Sequence, residues 1–227
     1  MVKGGNPQGE LDPLEPSKIA RAVADLNLNY VVITSVNRDD LPDGGAEHFA
    51  STIKAIRKHD SKVIIEVLIP DFNGNIDQLR EITEAKPDVI GHNLETTAPL
   101  TPHIRDARAN YQQTLRILKS IKELDSNLYS KSSIMLGLGE EEKDLITSMR
   151  DLREVNVDIL TLGQYLQPSR GHVIVNAFVP PERFEHYKHI AEDMGFLYVA
   201  AGPLVRSSYR AAEFFVHALR ERMRTAS

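Results

Sequence analysis

The chain of 227 residues contains no cysteine and no tryptophan. Without thiols it can form no disulfide, offers no thiolate nucleophile, and has neither a Cys-based zinc site nor the ligands that ordinarily hold an iron–sulfur cluster. An excess of positive charge is also missing: 27 Lys and Arg stand against 32 Asp and Glu, for a formal charge of -5. That balance gives no global basic field for DNA or RNA, so nucleic acid is not an expected partner. No run approaches the roughly 20 apolar residues of a membrane-spanning helix. The opening Met1-Val2-Lys3-Gly4-Gly5-Asn6-Pro7 lacks the apolar centre of a secretory signal. These absences lead to the expectation of a soluble, cytoplasmic protein with no membrane partner. What is present, 41% hydrophobic and 26% charged residues, suits one compact α/β domain with an ample core.

Apolar runs rich in β-branched residues alternate with amphipathic stretches, the pattern of repeated βα units around a parallel sheet. Glu15 and Pro16 open a helix through Ile19, Val23 and Leu26, and Tyr30-Val31-Val32-Ile33-Thr34 reads as a strand buried on both faces. A helix from Ala46 through Ile56 then leads to a strand over Val63–Ile69, stopped by Pro70. Ile76, Leu79 and Ile82 mark the next helix, before a strand over Asp88–Asn93 whose end turns polar. Tyr111 to Leu124 predicts a helix, Ser133 to Leu136 a strand, Asp144 to Val155 a helix and Asp158 to Leu162 a strand. Phe184 to Met194 predicts a further helix, Phe196 to Ala200 a last strand, and Ala211 to Met223 a closing helix. Right-handed crossovers in series curl such a sheet into a full or partial barrel, with functional groups at the C-terminal strand ends.

Those ends are polar and varied. Ser35, Asn37, Arg38, Asp39 and Asp40 go with the end of the first strand, Glu66 and Asp71 with the second, and His92, Asn93 and Glu95 with the third. Lys131 and Ser132 stand just before the fourth apolar run, with Gly137, Gly139 and Glu140 after it; Gln164, Tyr165 and Gln167 follow the fifth, and Arg206, Ser207, Ser208 and Tyr209 the last. One rim carrying this collar suits a charged small molecule, although each residue taken singly is also an ordinary loop or capping residue. The segment from Arg38 to Ala46 offers three carboxylates to a cation or an ammonium group; equally, Asp43 caps the following helix. His92-Asn93-x-Glu95 can be read as metal ligands, but no second histidine stands at a paired spacing, and a polar binding role is preferred. Gly137-Leu138-Gly139-Glu140 resembles a short phosphate loop without the lysine and length of a P-loop. An aldolase-type barrel would need a lysine nucleophile, for which Lys131 is the candidate.

Read together, Leu11-Asp12-Pro13-x-Glu15-Pro16, Thr34-Ser35-Val36-x-Arg38-Asp39-Asp40-Leu41-x-Asp43-Gly44-Gly45-Ala46, Pro70-Asp71-Phe72-x-Gly74 and His92-Asn93-x-Glu95-Thr96 resemble the signature blocks of lipoyl synthases. The downstream blocks agree in order: Arg105-x-x-Arg108-Ala109-x-Tyr111, Lys131-Ser132-x-Ile134-Met135-Leu136-Gly137-Leu138-Gly139-Glu140, Leu160 to Pro168, and Gly202-Pro203-x-Val205-Arg206-Ser207-Ser208-Tyr209. The resemblance runs from Gly5 to about Glu213 and argues against the aldolase reading. It implies an α/β fold, a partial TIM barrel of the radical S-adenosylmethionine (SAM) type lacking its first strand. Residues 1–227 would form one domain, with 1–14 as an opening loop and 203–227 as the serine motif and terminal helix.

The family's chemistry, as the resemblance implies it, is sulfur insertion at C6 and C8 of a protein-bound octanoyl group by a SAM-derived 5′-deoxyadenosyl radical. Two four-iron clusters serve it, one cleaving SAM and one donating sulfur. The implied partners are an octanoylated lipoyl carrier domain or H protein and an electron donor such as ferredoxin or flavodoxin. Carried onto this chain, the SAM contacts would be Asp39, Asp40, Asn93, Glu95, Lys131 and Gln164. Ser207, or else Ser208, would be the serine ligand of the second cluster, with Arg206 beside it. In the family the cluster cysteines precede the stretch matched by Val2-Lys3-Gly4-Gly5, and Met1 begins just past them. The expectation is therefore an N-terminally truncated member, inactive alone, with a non-catalytic SAM-binding or carrier-binding module as the alternative.

Overall fold

A computed structural model describes residues 11–206. Residues 1–10 and 207–227 lie outside the described residues, and with them the predicted helix Ala211–Met223 and the candidate ligands Ser207 and Ser208. Six parallel strands run in sequence order across one sheet: β1 (Tyr30–Thr34), β2 (Ile64–Leu68), β3 (Val89–Gly91), β4 (Tyr129–Leu136), β5 (Ile159–Gln164) and β6 (Tyr198–Gly202). Between them lie α2 (Ala46–His59), α3 (Ile76–Glu84), α4 (Thr101–Ile104), α5 (Tyr111–Leu124), α6 (Glu142–Glu154) and α7 (Pro181–Asp193), with α1 (Glu15–Asp25) ahead of β1. An all-parallel sheet in unbroken sequence order, with β1 and β6 at its two ends, is the open form of a βα barrel.

Local chemistry accounts for the boundaries. Pro16 sits in the first turn of α1, where its missing N–H costs nothing. Asn75 Oδ1 accepts from Asp77 N to start α3, and Asn110 Oδ1 accepts from Gln113 N to start α5. Side chains along each strand alternate between two environments. Val31, Ile65, Val67, Ile90, Ile134, Leu160, Leu162 and Val199 pack with the helices in the main core. Tyr30, Ile64, Val89 and Ile159, flanked by Val32, Tyr129 and Tyr198, form a smaller cluster on the other, lumenal face.

The lumenal face also carries charge. Lys131 Nζ lies 2.5 Å from Glu66 Oε1 with both side chains 1% exposed, and the Tyr30 hydroxyl donates to the other carboxylate oxygen. Lys131 reads in the sequence as lying ahead of its strand and Glu66 as part of the strand-end collar; β4 instead begins at Tyr129 and Glu66 lies within β2, so both are interior strand residues. A polar start such as Tyr129-Ser130-Lys131-Ser132 survives in a buried strand because its polar groups are satisfied. Ser130 N donates to Asp158 Oδ2 at 2.8 Å, and Ser132 Oγ accepts from Leu94 N at 3.1 Å.

Candidate functional site

Beyond the C-terminal ends of β1, β2 and β3 lies a polar cavity of about 280 Å³, just below the ~300 Å³ low end of small-molecule sites. The turn after β1 contributes Ser35, Asn37 and Asp39, and the turn after β2 contributes Ile69, Pro70, Asp71 and Asn73. His92, Asn93 and Glu95 come from the end of β3, and Arg105, Asp106, Arg108 and Ala109 from the segment between α4 and α5. Arg108 Nη1 joins two of these walls through Asp39 Oδ2 at 2.7 Å. Its guanidinium also pulls the Asp106 carboxyl down to about 2. Both arginine links are exposed and stabilise little on their own.

Glu95 is the pivot of the β3 wall. Its φ of +69° places a non-glycine residue in the left-handed region, a conformation that costs on the order of 1–3 kcal/mol and clusters at functional sites. Strand β4 holds it there: Glu95 N donates to Ser133 O, and Met135 N donates to Glu95 O, each at 2.9 Å. Burial raises the Glu95 carboxyl above its ordinary value, against the hydrogen bond from Asn93 and the charge of Arg105. Asn93 Nδ2 donates to Glu95 Oε1 at 3.1 Å. Arg105, half-buried, donates to Thr114 Oγ1 at 3.0 Å; burial lowers its pKa against the supporting charges of Glu95 and Asp71. His92 is buried, with Nδ1 3.0 Å from Ile69 O. Desolvation depresses its pKa, which keeps the ring neutral.

The six proposed cofactor contacts separate into two groups. Asp39, Asn93 and Glu95 line this one cavity. Asp40 instead forms an ion pair with Arg38 at 2.7 Å, Lys131 is sealed against Glu66, and Gln164 spends its amide on backbone. Gln164 Nε2 donates to Tyr165 O and Ala177 O, both at 3.0 Å, and its Oε1 accepts from Val179 N at 2.9 Å. Arg206 lies at the far end of the rim and donates to Pro203 O and Val205 O. Ser207 and Ser208 fall outside the described residues. Arg105 stands out in the sequence only as part of a motif block, since a single arginine in a loop carries no periodicity that would mark it as a wall residue.

Two other sequence alternatives are decided by partners. The carboxylates after Arg38 do not converge: Asp39 meets Arg108, Asp40 meets Arg38, and Asp43 accepts from Gly45 N at 3.0 Å and Glu47 N at 2.9 Å, capping α2. The turn Gly137–Glu140 closes on itself, because Glu140 accepts from Gly137 N at 2.7 Å and Leu138 N at 2.9 Å, leaving those amides no phosphate to hold. Among the described residues no three His, Asp or Glu side chains gather as a metal site, and no helix is long and apolar enough to cross a membrane.

Residues 2–152 match the radical SAM superfamily. The chain is 56% identical over 223 residues to a lipoyl synthase of Myxococcus xanthus, a match covering 98% of this chain and 74% of that protein. It is 51% identical over 217 residues to a lipoyl synthase of Thermus thermophilus, covering 96% and 67%. With a mitochondrial lipoyl synthase of Culex quinquefasciatus it shares 50% over 215 residues, covering 95% and 57%. Among solved structures, Streptococcus suis SuiB bound to S-adenosylmethionine aligns with a TM-score of 0.63 at 11% identity, over 91% of this chain and 47% of that one. The FeFe-hydrogenase maturase HydG from Carboxydothermus hydrogenoformans aligns with a TM-score of 0.61 at 12% identity, over 93% and 58%. These two likenesses show the fold, the partial barrel that the strand order describes. With its motif blocks matched in order and more than half its residues identical across most of a curated relative, the chain belongs to the lipoyl synthase family of radical SAM enzymes.

Proposed function

We propose that the cavity beyond β1–β3 binds SAM for the family's sulfur insertion at C6 and C8 of a carrier-bound octanoyl group, and that the 227 residues alone bind SAM without cleaving it. The observation carrying this reading is the Asn93–Glu95 wall, a left-handed residue held by β4 with its carboxylate in a polar cavity at the strand ends. SAM presents hydroxyl and ammonium donors together with one carboxylate. Asp39 and Glu95 are the acceptors suited to the donors, and Arg105 is the cation suited to the carboxylate. Asn93 orients Glu95 through its amide. The neutral His92 forms part of the wall without adding charge.

Iron–sulfur clusters do not fit the residues present. The chain has no cysteine, and a four-iron cluster is held by Cys thiolates that a serine such as Ser207 or Ser208 cannot replace alone. Thiolates for either cluster must come from outside these 227 residues, and no chemical step through a cluster is assigned to this chain. The octanoylated carrier and the electron donor belong to the same reading, as partners of the complete reaction.

Calorimetric titration with SAM tests the pocket. Binding that weakens at least about tenfold in Asn93→Ala and Glu95→Ala, the loss of roughly one charge-assisted hydrogen bond, supports it. A flat titration at millimolar SAM removes it. Anaerobic iron and sulfide reconstitution of the same chain checks the second half: iron bound in stoichiometric amount, with lipoyl product formed, would refute the account of cysteine dependence.

A further inference from the structure

The segment between β5 and α7, residues 165–180, contains no helix or strand, and loops of this length in compact domains are usually either functional or disordered. It is nevertheless fixed. Tyr165 Oη donates to Val173 O at 2.7 Å, Gln167 Nε2 donates to His172 O at 2.8 Å, and Asn176 N donates to Gly137 O at 2.9 Å. Despite this ordering, Leu166 is 50% exposed, Ile174 72% and Phe178 74%. Leu204 follows the neighbouring strand β6 and is 85% exposed. The next residue, Val205, crosses so close over Gly163 that a Cβ there would collide with its carbonyl, which brings the two segments to one stretch of rim.

The charge of this rim differs from that of the rest of the chain. No Asp or Glu occurs between Asp158 and Glu182, nor between Asp193 and Glu213, although the chain as a whole carries -5. The cations there, Arg170 and Arg206, are exposed, and neither has a carboxylate partner among the described residues. The neighbouring turn brings Glu140 close to Asn176 and Ala177, but its carboxylate is taken up by Gly137 N and Leu138 N. A preorganised apolar surface whose own two segments carry arginine and no carboxylate, on an acidic protein, is complementary to an acidic partner.

We propose that this rim docks an acidic carrier protein bearing an aliphatic acyl chain, with Phe178 and Ile174 as apolar anchors and Arg170 as the charge that orients the partner. This rests on the reading above that the substrate arrives on a carrier. The chain's own residues 207–227 are a poor occupant electrostatically, with four arginines against two glutamates. Docking here would present the acyl chain at the same strand-end rim that holds the SAM cavity.

The test uses the 227-residue chain and, as probe, an octanoylated lipoyl carrier domain of net negative charge, titrated by calorimetry with hydrogen exchange followed in parallel. Expected are binding that weakens with added salt, new protection in residues 165–180, and about tenfold weaker binding in Phe178→Ser and in Arg170→Glu. Val36→Ser, an exposed apolar change after β1 on the opposite part of the rim, should leave the affinity unchanged. Absence of carrier binding, or unchanged affinity in both rim variants, overturns the proposal. Exchange in residues 207–227 of the free chain that speeds up in Phe178→Ser, with carrier affinity unchanged, also overturns it and assigns the surface to those residues. SAM titration on the same samples separates the two readings, since lost SAM binding with intact docking fails the cofactor pocket and leaves the docking surface standing.

Discussion

Replacing Lys131 by Met isolates the most deeply buried ion pair among the described residues. At 2.5 Å the attraction between Lys131 and Glu66 is about 7 kcal/mol at an effective dielectric of about 20. Removing both ions from water costs several kcal/mol each, so the intact pair contributes little net stability. Lys131→Met alone, however, leaves the Glu66 carboxylate buried with the Tyr30 hydroxyl but without its cation. That change should cost about 3–5 kcal/mol, a fall in Tm of about 6–20 °C for a chain of this size. The double variant Glu66→Gln/Lys131→Met keeps an acceptor for Tyr30 and should recover most of the loss. Urea denaturation of the wild type, both single variants and the double gives the coupling energy. A single Lys131→Met within about 1 kcal/mol of wild type, or a double variant as unstable as the sum of the singles, would refute the reasoning. SAM affinity of the double variant should remain at the wild-type level; its loss would return Lys131 to the cofactor site.

Glu95, raised by burial, binds its proton at higher pH in the folded protein than in the unfolded chain. Stability therefore falls as pH climbs from the ordinary carboxyl value through the raised one, and Glu95→Gln should abolish that slope in urea melts taken at stepped pH. His92 is shifted in the opposite sense: below about 6.5 the unfolded chain takes up protons first, so stability declines as pH drops toward the depressed value. His92→Gln should flatten that decline in the same series. Gly137 has φ +95°, and an added Cβ would collide with Ala177 O and Gln164 Nε2. Gly137→Ala should cost more than about 1 kcal/mol and loosen residues 165–180, seen as faster hydrogen exchange there.

Periodicity in the sequence was sufficient for the βα alternation, because a strand covered by helices must be apolar along its length and an amphipathic helix must show its 3.6-residue stripe. Every predicted strand and every predicted helix through residue 194 forms, with ends displaced by a few residues. The three-residue turn Phe72–Gly74 and the four-residue α4 were not legible, since neither is long enough to carry a period. The ordered motif blocks made the family readable from residues alone, and the missing cysteines fixed what chemistry these residues cannot support.

Only the tertiary structure decided which polar residues share a space. Asp39 and Asp40 are neighbours in sequence, yet one lines the cavity and the other turns to Arg38. Lys131 and Gln164 read as rim residues, but one reaches over β3 to a residue of β2 65 positions away and the other ties down a loop. Arg105 is an unremarkable loop residue in sequence, and enters the cavity only because α5 packs beside α3 and brings the preceding segment over β3. Burial and pairing depend on contacts between residues distant in the chain. Local sequence can name the chemical groups, but their partners are set by the way the sheet curls.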